Sequence, residues 1–188
     1  MTLNVQKFVP LTAGRFLVVL AICLTAITGI SRADPSRDAL FDALKAAPSE
    51  TEAKAIENEI WQSWIEAAPT PAVQEKLETA MRKRGEYDFQ GAKDILDEVI
   101  LEAPDYAEGW NQRAFVLFLQ GNYEASLEDI DRTLQLEPRH FGALSGKAMI
   151  LMTQGRVQLG QDTLREAVEI HPYLQERSML IKPKGVDL

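Results

Sequence analysis

Residues 105–138 read DYAEGWNQRAFVLFLQGNYEASLEDIDRTLQLEP and carry the signals of a helix–turn–helix unit. The apolar run that ends at Leu119 is followed by Gly121, and glycine adopts positive φ without a Cβ clash. A second amphipathic run follows, and Pro138 ends it because proline cannot continue a helix. The stretch therefore predicts two helices joined by a tight turn.

The spacing of this unit recurs along the chain, which indicates a repeat architecture. Four kinds of residue return every 34 positions, and two of these columns hold small side chains that let helices approach closely. The columns are Ala80/Ala114/Ala148, Ala92/Ser126/Gly160, Leu96/Ile130/Leu164 and Pro104/Pro138/Pro172. No stretch alternates with period 2 for long enough to suggest a strand. We therefore predict an all-α fold with three units, at 70–104, 105–138 and 139–172.

The middle unit resembles the tetratricopeptide repeat family. The family's pattern of tryptophan, small residue, small residue and proline is present here as Trp110, Ala114, Ser126 and Pro138. The resemblance covers about residues 71–172. It implies a right-handed solenoid of helical hairpins in which the first helices of successive units line a concave groove.

The first unit departs from this pattern. Gly85 lies two residues earlier than the later turn glycines predict. Lys76 stands where the other units have Trp110 and Leu144. We expect the first helix of this unit to end early.

The segments that flank the repeats are out of register with the repeat columns. Residues 34–69 predict a helical pair that caps the first unit, since a repeat array needs its end faces covered. Within and after this pair, capping boxes predict helix starts at Ser49 and at Asp105 with Glu108. Residues 173–188 predict a C-terminal capping helix and tail.

The N-terminal segment, residues 1–33, differs from the rest of the chain. A basic start precedes an apolar stretch at 16–30, and Ser31-Arg32-Ala33 follows with small residues at its first and third places. This order predicts a signal peptide over 1–33. The protein is then exported, and periplasmic if its host is Gram-negative. The alternative is a membrane anchor formed by the uncleaved apolar stretch, which is short for a span of about 20 residues.

Composition narrows the function classes. The only cysteine, Cys23, is lost with the signal, so the mature chain has no disulfide and no cysteine metal site. Residues 1–33 hold three basic residues and no acidic one, so cleavage changes the net charge from −8 to −11. Nucleic-acid binding needs a basic surface, which this charge argues against. We expect no cofactor and a protein or peptide partner.

Arg113 places a charge on a core-facing stripe, where a charge is costly unless it is paired. The resemblance supplies a partner, because in a common variant of the repeat the arginine of "NQRA" meets an acid on the second helix. Here that acid is Asp129, with Glu128 as the alternative. We interpret Arg113 as half of a structural ion pair between two helices.

The resemblance also implies a peptide-binding groove on the inner face of the first helices. Its apolar, methionine-bearing surface suits more than one ligand. The groove residues are Glu108, Asn111, Phe115, Phe118, Ser145, Met149 and Met152. The places where co-chaperone members hold basic residues for a terminal carboxylate are here Leu77, Met81, Ser145 and Met149, so we expect no such clamp. The alternative is that the apolar members only pack against neighbouring helices.

Three functions remain open. The first is a non-catalytic interaction module, which an empty apolar groove would favour. The second is a subunit that self-associates or docks through Trp61 and Trp64, which an exposed apolar patch at 56–65 would favour. The third is an unrecognised enzyme, which a cleft joining His140 or His171 to carboxylates would favour. Neither histidine has metal-ligand spacing, and we expect no metal and no catalytic residue.

Overall fold

The structure is a computed structural model that describes residues 35–181. The helices are α1 Pro35–Ala46, α2 Glu50–Glu66, α3 Pro71–Gly85, α4 Phe89–Glu102, α5 Ala107–Leu119, α6 Tyr123–Leu136, α7 Phe141–Thr153 and α8 Val157–Ile170, and a 3₁₀ segment Gln175–Met179 follows. The described range contains no strand, and the predicted all-α fold is confirmed. Across the same residues, no helix is both long and apolar enough to cross a membrane.

The two predicted capping boxes have different outcomes. The Ser49 side chain accepts a hydrogen bond from the Glu52 backbone N–H at the start of α2, as predicted. The box at Asp105 and Glu108 is wrong, because α5 begins after Tyr106 without a side-chain cap. Asp105 instead pairs with Arg132 at 2.8 Å, and Glu108 is buried in a polar cluster described below.

The small-residue columns lie where helices of a unit meet. Ala114 is buried on α5, and its carbonyl accepts a 2.8 Å hydrogen bond from the Ser126 hydroxyl on α6. At Gly160 a Cβ would lie 2.5 Å from Met152 Cγ and 2.9 Å from the Ala148 carbonyl oxygen. Because neither distance tolerates a side chain, α8 approaches α7 closely only with glycine at this position.

The turn inside each unit is made by the same column of the repeat. Gly121 and Gly155 adopt φ values of 75° and 79°, and Tyr87, one repeat period before Gly121, adopts 65°. The expected early end of the first unit's first helix is wrong. Helix α3 runs through Gly85, and the left-handed residue of that turn is a tyrosine.

The N-terminal hairpin, α1 with α2, packs on the last unit. Phe41, Leu44 and Trp64 share one hydrophobic core with Phe141 and Leu164. The sequence predicts that this pair caps the first unit, but its buried apolar side chains lie in the core shared with the last unit. The physical reason is that the last unit also has an apolar end face to bury, and hydrophobic burial has no direction along the sequence.

Polar contacts join the hairpin to the end of the middle unit and to the last unit. Arg37 Nη1 lies 3.3 Å from Glu137 Oε2, before α7. Glu57 Oε2 lies 3.3 Å from His171 Nε2, after α8. At its other end α2 reaches the first unit, since Ile65 packs against the core of α3 and α4. Helix α2 therefore contacts both ends of the array.

Candidate functional site

A cavity of about 490 Å³ lies on the inner face of the array, over α5 and α7. Helix α6 contributes Ser126 and Ile130 to its lining. Three further lining side chains come from distant parts of the chain: Trp61 on α2, Arg84 on α3 and Glu176 on the 3₁₀ segment. The repeats thus supply most of the lining, and the flanking segments supply two of the outlying side chains.

The small residues of α7 leave the space for this cavity. They are Gly142, Ala143, Ser145 and Gly146. A Cβ at Gly142 would lie 2.6 Å from Cη2 of Trp61, so the indole rests directly on the backbone of α7. The absence of bulky side chains here keeps the cavity open between the two helices.

Most of the predicted groove residues are brought together by the structure. Those lining the cavity are Asn111, Phe115, Phe118, Ser145 and Met149. Phe115 is 45% exposed, which packing against a neighbouring helix alone does not explain. Phe118 is partly packed, with its ring 5.7 Å from that of Tyr123. That these residues bind a peptide stays a prediction.

Glu108 and Met152 do not line the cavity, and their assignment to the groove is corrected. Glu108 is 1% exposed, and its carboxylate accepts hydrogen bonds from Asn111 and Gln112 and lies 3.0 Å from His140 Nε2. Met152 is partly buried in the core that the hairpin shares with the last unit. A carboxylate with three partners is satisfied inside the protein and is not free to meet a ligand.

His140 is a structural residue. Its Nδ1 accepts a 3.1 Å hydrogen bond from the Ala143 backbone N–H and so caps α7. Because Nδ1 accepts, the ring proton belongs on Nε2, where it faces Glu108. The ring also stacks on Trp64, with centroids 3.9 Å apart. Both nitrogens are therefore engaged within the repeats, and the face of the ring packs on Trp64 of the hairpin.

His171 lies beside a second cavity of about 840 Å³. Its side chain is 2% exposed, and Nε2 faces Glu57. Burial lowers the pKa of His171, and the nearby Glu57 carboxylate only partly opposes this. Among the described residues, no group of three or more histidine, cysteine or acidic side chains could hold a metal ion.

Arg113 meets its predicted partner and a second one. Its Nε and Nη2 each donate to a carboxylate oxygen of Asp129 at 2.7 Å, and Nη1 donates to Asp97 at 2.8 Å. Hydrogen bonds that Arg113 donates to the Asp129 and Asp97 carboxylates raise its pKa, against the effect of burial. Sequence reasoning missed Asp97, although a signal existed. The pair Asp131–Lys147 lies one repeat period further on, in the same two columns, at 2.6 Å.

Sequence reasoning also missed Arg84 as a residue of the cavity, although its repeat column indicated this position. Phe118 and Met152, both assigned to the groove, lie one and two repeat periods after it. The guanidinium carbon lies 4.7 Å from the Phe115 ring centroid, and Nη1 donates to the Gln112 side chain. Burial lowers the pKa of Arg84, with an opposing pull from Glu108. No pattern identified Trp61 and Glu176, because they lie outside the repeats.

Comparison with known proteins finds similarity to tetratricopeptide repeat proteins. A family profile described as tetratricopeptide repeat matches residues 107–140. A TPR repeat-containing protein of Rhizobium etli is 40% identical over 135 residues, covering 72% of this chain and 66% of that protein. The tetratricopeptide repeat protein 36 homolog of Nematostella vectensis is 36% identical over 61 residues, 32% of this chain and 33% of that protein. The matches thus span less than two thirds of either relative.

Solved structures share the fold at low identity. The TPR domain of Sgt2 from Aspergillus fumigatus aligns with a TM-score of 0.52 and 15% identity, covering 64% of this chain and 91% of that chain. The TPR2AB domain of yeast Sti1, in a complex with pHSP90, aligns with a TM-score of 0.53 and 19% identity, covering 76% of this chain and 57% of that chain. At these identities the likeness concerns the fold alone.

Proposed function

Because the chain belongs to the tetratricopeptide repeat family, we propose that it is an exported interaction module whose cavity holds an apolar or amphipathic segment of a partner protein. The observation that carries this proposal is the cavity over α5 and α7, where Phe115, Phe118 and Met149 face open space. A concave apolar surface gains free energy when a ligand displaces its water. The similar Sti1 domain was solved with a protein partner, which is the kind of role proposed here.

The test is binding of a labelled peptide. A fluorescein-labelled peptide of leucine, alanine and serine is titrated with the protein from Asp34 onward, and anisotropy gives the affinity. Phe118→Ala and Met149→Ala should each weaken binding by about 1–2 kcal/mol, the scale of a truncated apolar contact. Leu101→Ala is the matched control, because Leu101 is 84% exposed and does not line the cavity. Salt should change the affinity little, since screening acts on charges.

Unchanged affinity in both cavity variants, with the fold intact by circular dichroism, would remove the cavity as the binding site. The alternative of docking through the N-terminal hairpin lacks the exposed patch that favoured it. Ile60 is 0% exposed and Trp64 is 2% exposed, so both side chains are already used inside the protein.

Export is proposed from the signal-like residues 1–33, which lie outside the described residues. N-terminal sequencing of the protein from its host should begin at Asp34. An intact chain from Met1 in the membrane fraction would instead identify residues 16–30 as an anchor.

We propose that the module is non-catalytic. The pair of His171 and Glu57 beside the second cavity is the arrangement that would favour an enzyme. However, His171 Nδ1 is buried without a hydrogen-bond partner, and Nε2 of the same ring faces Glu57. His140 has both nitrogens engaged in the fold. Because a general base must reach the proton that it removes, neither histidine is placed for that role.

A further inference from the structure

Arg84 is unusual among the arginines of residues 35–181 because it is partly buried and contacts no carboxylate within salt-bridge distance. The other partly buried arginines each have an acidic partner: Arg37, Arg113, Arg132, Arg139, Arg165 and Arg177. The Arg84 guanidinium lies over Phe115 and makes one hydrogen bond, to Gln112. Four of its five N–H donors are therefore not used by the described protein groups.

Glu108, the acid that acts electrostatically on Arg84, does not pair with it directly. Glu108 already interacts with Asn111, Gln112 and His140, and Gln112 bonds both Glu108 and Arg84. A partly desolvated cation without a carboxylate raises the free energy of the empty site. An anion placed against the guanidinium would relieve that cost and form charge-assisted hydrogen bonds.

The cavity also contains an unpaired acid. Glu176, on the 3₁₀ segment, lines the cavity and has no basic partner among the described residues. Arg84 and Glu176 thus give the apolar cavity one positive and one negative group. The cavity is complementary to an anion near Arg84 and disfavours one near Glu176.

We infer that the partner segment carries an acidic side chain that pairs with Arg84 while its apolar side chains cover Phe115 and Phe118. This inference rests on the proposed function and specifies the ligand of the same cavity. An internal side chain is the source we favour over a chain end. Along α5, cavity-lining residues lie on both sides of Phe115, at Asn111 and at Phe118, so a segment that follows α5 passes Arg84.

The test compares matched labelled peptides of leucine, alanine and serine. Three peptides with amidated ends carry one central Glu, Gln or Lys, and a fourth carries Gln and a free terminal carboxylate. We expect the Glu peptide to bind the native protein roughly tenfold tighter than the Gln peptide, the scale of one hydrogen bond to a charged group. This preference should disappear in Arg84→Gln and change to the Lys peptide in Arg84→Glu.

Arg82→Gln is the matched control, since Arg82 is on the same helix, exposed, and paired with Glu86 outside the cavity. It should keep the preference for the Glu peptide. If Arg84→Gln does not fold, Arg84→Lys tests the same point, with a reduced preference expected because lysine lacks the bidentate fork.

Each contrary result has a distinct meaning. Equal affinity of the Glu and Gln peptides for the native protein, with binding still weakened in Phe118→Ala, overturns the role of Arg84 and leaves the proposed function standing. An Arg84-dependent gain only for the peptide with the free carboxylate overturns the internal side chain as the source. No binding of any peptide overturns the proposed function itself.

Discussion

The three repeats and the N-terminal hairpin are built by different rules. In the repeats, contacts join residues of the same or the adjacent unit, as in Ser126–Ala114 and Arg113–Asp97. In the hairpin, contacts such as Arg37–Glu137 join residues 100 positions apart and follow no period. The difference teaches that the repeats define the inner face, whereas the hairpin determines which part of that face is already covered.

The largest effect is expected at the centre of the hairpin interface. Trp64→Ala should lower the free energy of unfolding by about 3–5 kcal/mol, because it removes a buried ring that packs on His140 and Phe141. Thermal unfolding followed by circular dichroism measures this loss. Hydrogen exchange should locate the increased opening in α7 and α8, where the hairpin docks.

The control for that prediction is Trp110→Ala in the middle unit. Trp110 is partly exposed, and its indole donates to the Pro104 carbonyl at 2.9 Å within the repeats. Its loss should increase exchange in α5 without releasing the hairpin. Equal exchange patterns for the two variants would mean that the hairpin and the repeats unfold as one unit and that the distinction drawn above is wrong.

The same distinction explains which parts of the structure could be predicted from sequence. The repeat columns that contain Ala114, Ser126 and Pro138 give the period of 34 residues. From this period follows an array in which each unit packs only against its neighbours. The docking site of the hairpin could not be predicted, because both end faces of the array are apolar and both accept a helix pair. Within the site, the family resemblance implied Phe118 and the repeat period gave a signal for Arg84, but Trp61 has no counterpart in any column.

The second largest effect is expected at the ion pair inside the repeats. Arg113→Met should cost about 2–3 kcal/mol, since it leaves the nearly buried Asp129 carboxylate unpaired. The double variant Arg113→Met/Asp129→Leu should be more stable than either single variant. Denaturant titration of the four proteins measures the coupling.

Lys147→Met provides the comparison one unit later. The pair Lys147–Asp131 occupies the same columns but is more exposed, so its loss should cost at most about 1 kcal/mol. Costs that are alike for Arg113 and Lys147 would show that burial does not set the strength of these pairs.

A smaller effect is expected where α7 and α8 meet. Gly160→Ala places a Cβ against the Ala148 carbonyl and Met152, and such overpacking typically costs about 1–3 kcal/mol. Gly146→Ala is the matched control on α7, because its Cβ would make only an ordinary 3.7 Å contact with Ile130. That variant should be neutral or slightly stabilising, as alanine favours a helix over glycine. Thermal melts that rank the two variants the other way would contradict the close approach at Gly160.

The hairpin contact should also depend on pH through His171. Burial lowers its pKa in the folded state, so the unfolded chain binds more protons as the pH falls below the ordinary value of about 6.5. Stability from this group is therefore present above that pH and is lost as the pH falls through the lowered folded pKa. Thermal melts should therefore show that the melting temperature depends less on pH across this range in His171→Gln than in the native protein. An unchanged pH dependence in that variant would assign the effect to other groups.

The smallest effect on stability is expected at the turn of the first unit, where a tyrosine occupies the position of the turn glycine of the other two units. Tyr87 adopts the left-handed conformation that glycine adopts at the equivalent turns, and its side chain is 82% exposed. The strain of a side chain at positive φ exceeds the extra entropy that glycine loses on folding, so Tyr87→Gly should stabilise the protein by about 0.5 kcal/mol. Gly121→Ala is the reverse change in the same column and meets no atom within 4 Å, so its cost reports backbone strain alone. Denaturant titration should therefore give opposite signs for the two variants. A loss of stability in Tyr87→Gly would mean that the contact of its ring with Phe89, 6.1 Å between centroids, outweighs the strain of the turn.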